Sequence, residues 1–175
     1  LSNRINSLSE SATLMMTKLG RELAAKGINV ISLSIGEPDF NTPDHVKEAA
    51  KKALDENWTH YSPVAGYPEL RQAIVNKLKR ENNLDYDISQ IVVSTGAKQS
   101  LSNAILTLVN PGEEVIIPTP YWVSYSEMVV LAEGKAVFID TTIESDFKIT
   151  PAQLEAAITP KTKLFMFSSP CNPTG

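Results

Sequence analysis

The sequence has 175 residues, the size of one domain, with 16 Lys and Arg against 20 Asp and Glu and a formal charge of −4. That balance excludes a basic nucleic-acid footprint, which needs a positive excess, and 42% hydrophobic with 21% charged residues suits a globular chain rather than a disordered one. The longest apolar runs, such as Val115-Ile116-Ile117, are far too short to span a bilayer, and one cysteine, Cys171, excludes an internal disulfide.

No internal repeat or low-complexity stretch is found. Residues 11–26 read as a helix, with Leu14, Met15, Leu19 and Leu23 near helical spacing. Lys18, Arg21 and Glu22 break its apolar run, so no secretory signal is read there and a cytoplasmic protein is expected. Residues 28–35 read as extended, and Gly36-Glu37-Pro38-Asp39 as a loop. Thr42 can cap a helix with Pro43 at its first position. In that helix Val46, Ala49, Ala50, Ala53 and Leu54 share one apolar face. Residues 57–67 form a loop with Ser62-Pro63 and Gly66. Pro68 then starts a helix with Leu70, Ala73, Ile74 and Leu78 on one side.

From here strands and helices alternate. Residues 91–95 read as a short apolar strand, and 98–109 as a helix with Leu101, Ala104, Ile105 and Leu108 in register. Strand 114–118, helix 121–131, strand 135–140, short helix 151–158 and strand 163–168 follow. The strands are apolar on both faces, as in a sheet covered by helices. The order predicts an α/β fold with a mostly parallel sheet and helices on both faces. A chain that opens on Leu1 and stops at Pro173-Thr174-Gly175, a turn signal straight after a strand, is expected to be a piece of a longer one.

In such sheets chemistry sits where strands end and helices begin. Gly96-Ala97-Lys98 opens a helix after a strand. Its unpaired N–H groups and positive dipole end can receive a phosphate, a property every such helix start shares. Neither a Walker loop nor Gly-x-Gly-x-x-Gly is present. Trp122, just past Pro120, can stack on a planar ring or simply pack in the core. Asn172, stiffened by Pro170 and Pro173, can hold an amide still or merely form a turn. Gly36 offers a bare backbone N–H or a plain turn. Tyr61 reads in isolation as an exposed or half-buried tyrosine. His45 and His60 lie apart from any ligand-spaced partner, so no metal site is read. No Gly-x-Ser-x-Gly elbow occurs.

Taken in order, Ser34-Ile35-Gly36-Glu37-Pro38-Asp39-Phe40, the stretch from Tyr61 to Arg71, Ser94-Thr95-Gly96-Ala97-Lys98-Gln99, Pro118-Thr119-Pro120-Tyr121-Trp122 and Asn172-Pro173-Thr174-Gly175 closely resemble the amino-terminal part of the class I aminotransferases. These are pyridoxal 5′-phosphate (PLP) enzymes of the aspartate aminotransferase fold, and the sequence looks most like the bacterial and archaeal aspartate aminotransferases among them. The resemblance implies an amino-terminal arm and part of a small domain over residues 1–42, and the first part of a PLP-binding large domain over residues 43–175. It implies that the backbone of Gly96, Ala97 and Lys98 holds the cofactor phosphate and that Trp122 stacks on the pyridine ring. Asn172 would bond the ring's 3′-oxygen and reach the substrate carboxylate, and the Gly36 N–H would meet the same carboxylate. Tyr61 would cross a homodimer interface to the neighbour's phosphate. The implied substrates are an amino acid, aspartate first, and a 2-oxo acid, with neither nucleic acid nor membrane as a partner.

The family's Schiff-base lysine, the aspartate at the pyridine nitrogen, a tyrosine at the 3′-oxygen and the carboxylate-clamping arginine match no position in this sequence, and all are expected downstream of Gly175. Residues 1–175 alone are therefore expected not to complete transamination, and their sheet to end in an open apolar edge. Aromatic, prephenate or alanine aminotransfer within the same family is the alternative activity. A non-catalytic sensor or structural domain of the same fold is the alternative class; the absence of a winged-helix segment at residues 1–26 and the negative charge oppose the sensor.

Overall fold

The computed structural model describes residues 1–33 and 36–175; Ser34 and Ile35, part of the predicted extended segment and of the first motif, lie outside the described residues. In chain order the elements are α1 (Asn3–Asn6), α2 (Ala12–Ala25), α3 (Asp44–Asp55), α4 (Pro68–Asn82) and α5 (Gly96–Leu108). They continue with β1 (Glu114–Pro118), α6 (Ser124–Leu131), β2 (Lys135–Ile139), α7 (Pro151–Ala157) and β3 (Thr162–Phe165). Two compact units result: one comprises Leu1–Met15 with Thr95–Gly175, the other Met16–Ser94.

The first unit carries a three-stranded parallel sheet in the order β2-β1-β3. The central strand owes its place to composition. Val115, Ile116 and Ile117 are wholly buried, and only a strand covered on both faces can bury such a continuous run. Val115 and Ile117 point to the face where Ile105 and Val109 of the α5 end and Tyr125, Met128 and Val129 of α6 form the main core. Ile116 points the other way. The chain steps from β1 to β2 through α6, then back past β1 to β3 through α7. Right-handed crossovers in opposite directions put these two helices on opposite faces. All three strands run the same way, so their following loops emerge at one edge.

The opposite edge is tied by a buried carboxylate. Glu114 opens β1, is 7% exposed, and accepts from the Thr159 hydroxyl at 2.6 Å and from Lys135 Nζ at 3.3 Å. The Thr159 hydroxyl and then the Lys135 ammonium hold its carboxyl below the usual range, against the opposing effect of burial. Gly134 allows the turn into β2 to pass close by: a Cβ there would stand 2.8 Å from Val109 Cγ1 and 3.2 Å from the Glu113 carbonyl oxygen.

In the second unit Pro68 sits at the first position of α4, as its missing N–H allows. The helix ends at Asn83 in the left-handed conformation, and the Leu84 N–H returns to the Leu78 carbonyl at 3.1 Å. Two sequence expectations fail in this unit. Thr42 does not cap α3; Pro43 takes that position with no side-chain hydrogen bond. Residues 91–95 are not a strand. Ile91 is extended, but its carbonyl accepts from Arg71 Nε at 2.9 Å, and the Val93 N–H goes to the Ala65 carbonyl at 3.0 Å. With its backbone groups taken this way, the segment forms no ladder with another strand among the described residues. Residues 28–33 likewise join no sheet.

Smaller shifts concern ends. Helix α6 begins at Ser124 rather than Tyr121, leaving Tyr121 and Trp122 in the loop after β1. Strand β3 runs from Thr162 to Phe165, with the Met166 N–H still bonded to the Ile116 carbonyl at 2.9 Å. Among the described residues no helix is long and apolar enough to cross a membrane.

Candidate functional site

The site is built where β1, β3 and the start of α5 present loops. Helix α5 begins at Gly96, whose φ of +80° lies in the left-handed region. A Cβ there would meet nothing within 4 Å, so the glycine answers a conformational need and not a steric one. The Thr95 N–H is turned back to the Gln99 side chain. The N–H groups of Gly96, Ala97 and Lys98 that follow have no acceptor inside the helix and sit at its positive end, exposed.

Trp122 reaches the same place from the loop after β1. It is half-buried, packs against the core and meets the Tyr125 ring edge-on at 5.6 Å and 85°. Lys98 Nζ lies 5.1 Å from the centre of its ring system, a cation–π contact. The structure thus joins two residues that the sequence places on separate elements. The loop bearing Trp122 is anchored at its root. The Thr119 N–H donates to the Ile139 carbonyl at 3.0 Å, the Thr119 hydroxyl to Asp140 Oδ1 at 3.1 Å, and the Thr141 hydroxyl to the Thr119 carbonyl. Asp140, at the end of the strand expected over residues 135–140, positions this loop.

The loop after β3 completes the edge. The Gly175 N–H closes a turn on the Cys171 carbonyl at 2.7 Å, and the Asn172 N–H donates to the Ser168 hydroxyl at 3.2 Å. The Asn172 side chain is exposed, and among the described residues its amide has no partner. Cys171 Sγ lies 3.6 Å from the Pro120 carbonyl oxygen and so links this loop to that of Trp122. A hydrogen bond from the Thr174 hydroxyl, helped by its backbone N–H and the Ser168 hydroxyl, outweighs burial and pulls the Cys171 thiol below its ordinary range. Cys171 lines a cleft of about 550 Å³ with Pro120, Tyr121, Phe165 and Phe167.

A second cleft, of about 510 Å³, is lined by Lys98 and Trp122 together with Ser9–Leu14 of the amino-terminal arm. No local signal in the sequence points to the arm at this place. Gly36 and Tyr61 belong to the unit Met16–Ser94. Tyr61 is fully exposed, and a Cβ on Gly36 would meet nothing within 4 Å. Among the described residues no cluster of His, Cys, Asp and Glu is arranged to hold a metal ion.

The donor set fits a phosphorylated aromatic cofactor. Free N–H groups at a helix start suit a phosphate dianion. An indole face that already attracts a cation suits an electron-poor pyridinium ring. An unpartnered amide suits a phenolate oxygen.

Residues 28–175 match the family model described as aminotransferase class I and II. The aspartate/prephenate aminotransferase of Cereibacter sphaeroides is 54% identical over the whole of this chain, which spans 44% of that relative's length. The crystal structure of the aspartate aminotransferase from Rhizobium meliloti superposes with a TM-score of 0.94 at 47% identity, over 99% of this chain and 43% of that one. The aspartate aminotransferase from Thermus thermophilus with maleate gives 0.94 at 45% identity, over 99% of this chain and 45% of that one.

Proposed function

The chain belongs to the aminotransferase class I and II family, and from that premise we propose that its protein moves an amino group from an amino acid, aspartate first, to a 2-oxo acid with PLP as cofactor. The observation that carries this reading is the meeting of Lys98 and Trp122 at the open start of α5. When bound, PLP supplies the electron sink that lets an amino acid give up its Cα proton.

The chain's own residues grip and orient. The N–H groups of Gly96, Ala97 and Lys98 hold the phosphate. Trp122 sets the plane of the ring, and the Asn172 amide donates to its 3′-oxygen. The Asn172 amide also receives the substrate carboxylate. Tyr61 is proposed to reach the phosphate of a second subunit in a homodimer; its complete exposure supports that role. Proton transfer at Cα belongs to the family's lysine, which no lysine of residues 1–175 matches.

The name of the Cereibacter sphaeroides relative pairs aspartate with prephenate, and this favours prephenate as a second amino acceptor. The test is a PLP titration of the intact protein followed by absorbance, with an intact mass taken first. Binding that gives a visible band, bleached by aspartate, is expected. Trp122→Ala is expected to weaken PLP about tenfold through lost ring contact. An intact protein that binds no PLP overturns the reading of Gly96, Trp122 and Asn172. Prephenate added as acceptor to the aspartate-reacted enzyme then decides the second substrate.

A further inference from the structure

We propose that Glu127 is a positioning residue that latches the amino-terminal arm, so that the arm forms a fixed wall of the cleft in front of Lys98 and Trp122. The Ser9 N–H donates to Glu127 Oε2 at 2.9 Å, across 118 residues of sequence. A carboxylate in the first turn of α6 could equally face solvent and complement the helix dipole. Here it is half-buried and takes a backbone donor from the arm instead. A charge-assisted bond to a main-chain N–H fixes the course of the chain itself, whatever the side chain at that position.

A second tie lies just past the end of α6. Arg4 Nη2 meets Glu133 Oε2 at 2.9 Å, with both side chains about half exposed. Exposed ion pairs are screened and weak; the Ser9–Glu127 bond is also near the surface, but it fastens the main chain itself and is the latch proposed. It stands at the edge of the cleft, because Glu127, Ser9, Lys98 and Trp122 all line it. A wall that touches bound and reacting states alike contributes uniform binding, which changes KM and not kcat.

The kinetic half of this proposal rests on the PLP reading of Lys98 and Trp122; the latch itself does not. The test compares Glu127→Ala and Glu127→Gln in the intact holoenzyme by amide hydrogen exchange, PLP titration and steady-state kinetics. In Glu127→Ala the Ser9 amide is expected to exchange about tenfold faster, while the amides of Val115 and Ile117 are unchanged. The PLP dissociation constant and substrate KM are expected to rise roughly three- to tenfold at constant kcat. Glu127→Gln keeps an acceptor oxygen and is expected to stay near the wild type in all three.

Unchanged Ser9 exchange in Glu127→Ala overturns the latch. So does a Glu127→Gln variant as impaired as Glu127→Ala. Faster Ser9 exchange with unaltered KM overturns the wall. A merely structural role would lower the melting temperature and the active fraction and leave KM alone, which also overturns the proposal. A wild-type protein that binds no PLP sinks the cofactor reading instead, and Ser9 exchange still decides the latch.

Discussion

Glu114 carries the clearest single-residue chemistry outside the site. Its carboxyl lies below the usual range in the folded protein because the Thr159 hydroxyl and Lys135 favour the charged form. A depressed carboxylate stabilises the fold at pH above its unfolded value, about 4.3, and that stability is lost as pH falls through the folded value. Denaturant titrations at a series of pH values from neutral to acid are therefore expected to show a shallower acid loss in Glu114→Gln than in the wild type. An identical slope would mean that the Thr159 and Lys135 bonds do not discriminate between the two protonation states. Of the residues proposed for the site, Gly96, Ala97, Lys98, Trp122 and Asn172 are singled out by the sequence because their types and order are distinctive. What each touches is not legible. Nothing local to Lys98 says that its ammonium lies over Trp122, and nothing local to Cys171 says that its thiol meets Pro120.

At the scale of elements, the helices follow from periodicity and end signals. Helices α2 and α5 lie within two residues of their expected bounds, and α4 begins at Pro68 as expected, because their hydrogen bonds close within four residues of sequence. Strands depend on remote partners, and there the sequence reading fails once. The apolar run 91–95 has strand composition, yet Arg71 and Ala65 take its backbone groups. Gly66 is the hinge of that arrangement. Its φ is +96°, and a Cβ would come within 2.6 Å of Val93 Cγ2. Gly66→Ala is expected to destabilise the protein by about 2–4 kcal/mol, the sum of left-handed strain and forced displacement of Val93. Chemical denaturation reads this directly. A change within about 0.5 kcal/mol, the range of an innocuous surface substitution, would show that the segment at Val93 yields freely.

At the scale of the whole molecule, the sheet has one well-covered strand and two edges. Edge strands β2 and β3 present Phe138 and Phe165, 47% and 39% exposed, and Phe167 follows at 61%. Unpaired backbone flanked by aromatic rings is a template for another strand. The 175-residue chain by itself is expected to associate with rising concentration, and Phe165→Lys with Phe167→Lys to reduce that association. Sedimentation velocity over a tenfold concentration range checks it. A chain that stays monomeric throughout would mean that these edges are protected in solution.

The amino-acid sequence by itself determined the α/β class, helices α2 to α7, the apolar strand at 114–118 and the family motif, since each rests on spacing or composition within a few residues. Only the tertiary structure decided that β1 lies between β2 and β3, that residues 91–95 join no sheet among the described residues, and that Glu127 accepts from Ser9 of the arm beside Lys98 and Trp122. The physical reason is common to all three. Strand order and long-range hydrogen bonds are chosen by which distant surfaces bury the most apolar area and leave the fewest polar groups unpaired, and that competition leaves no mark on neighbouring residues.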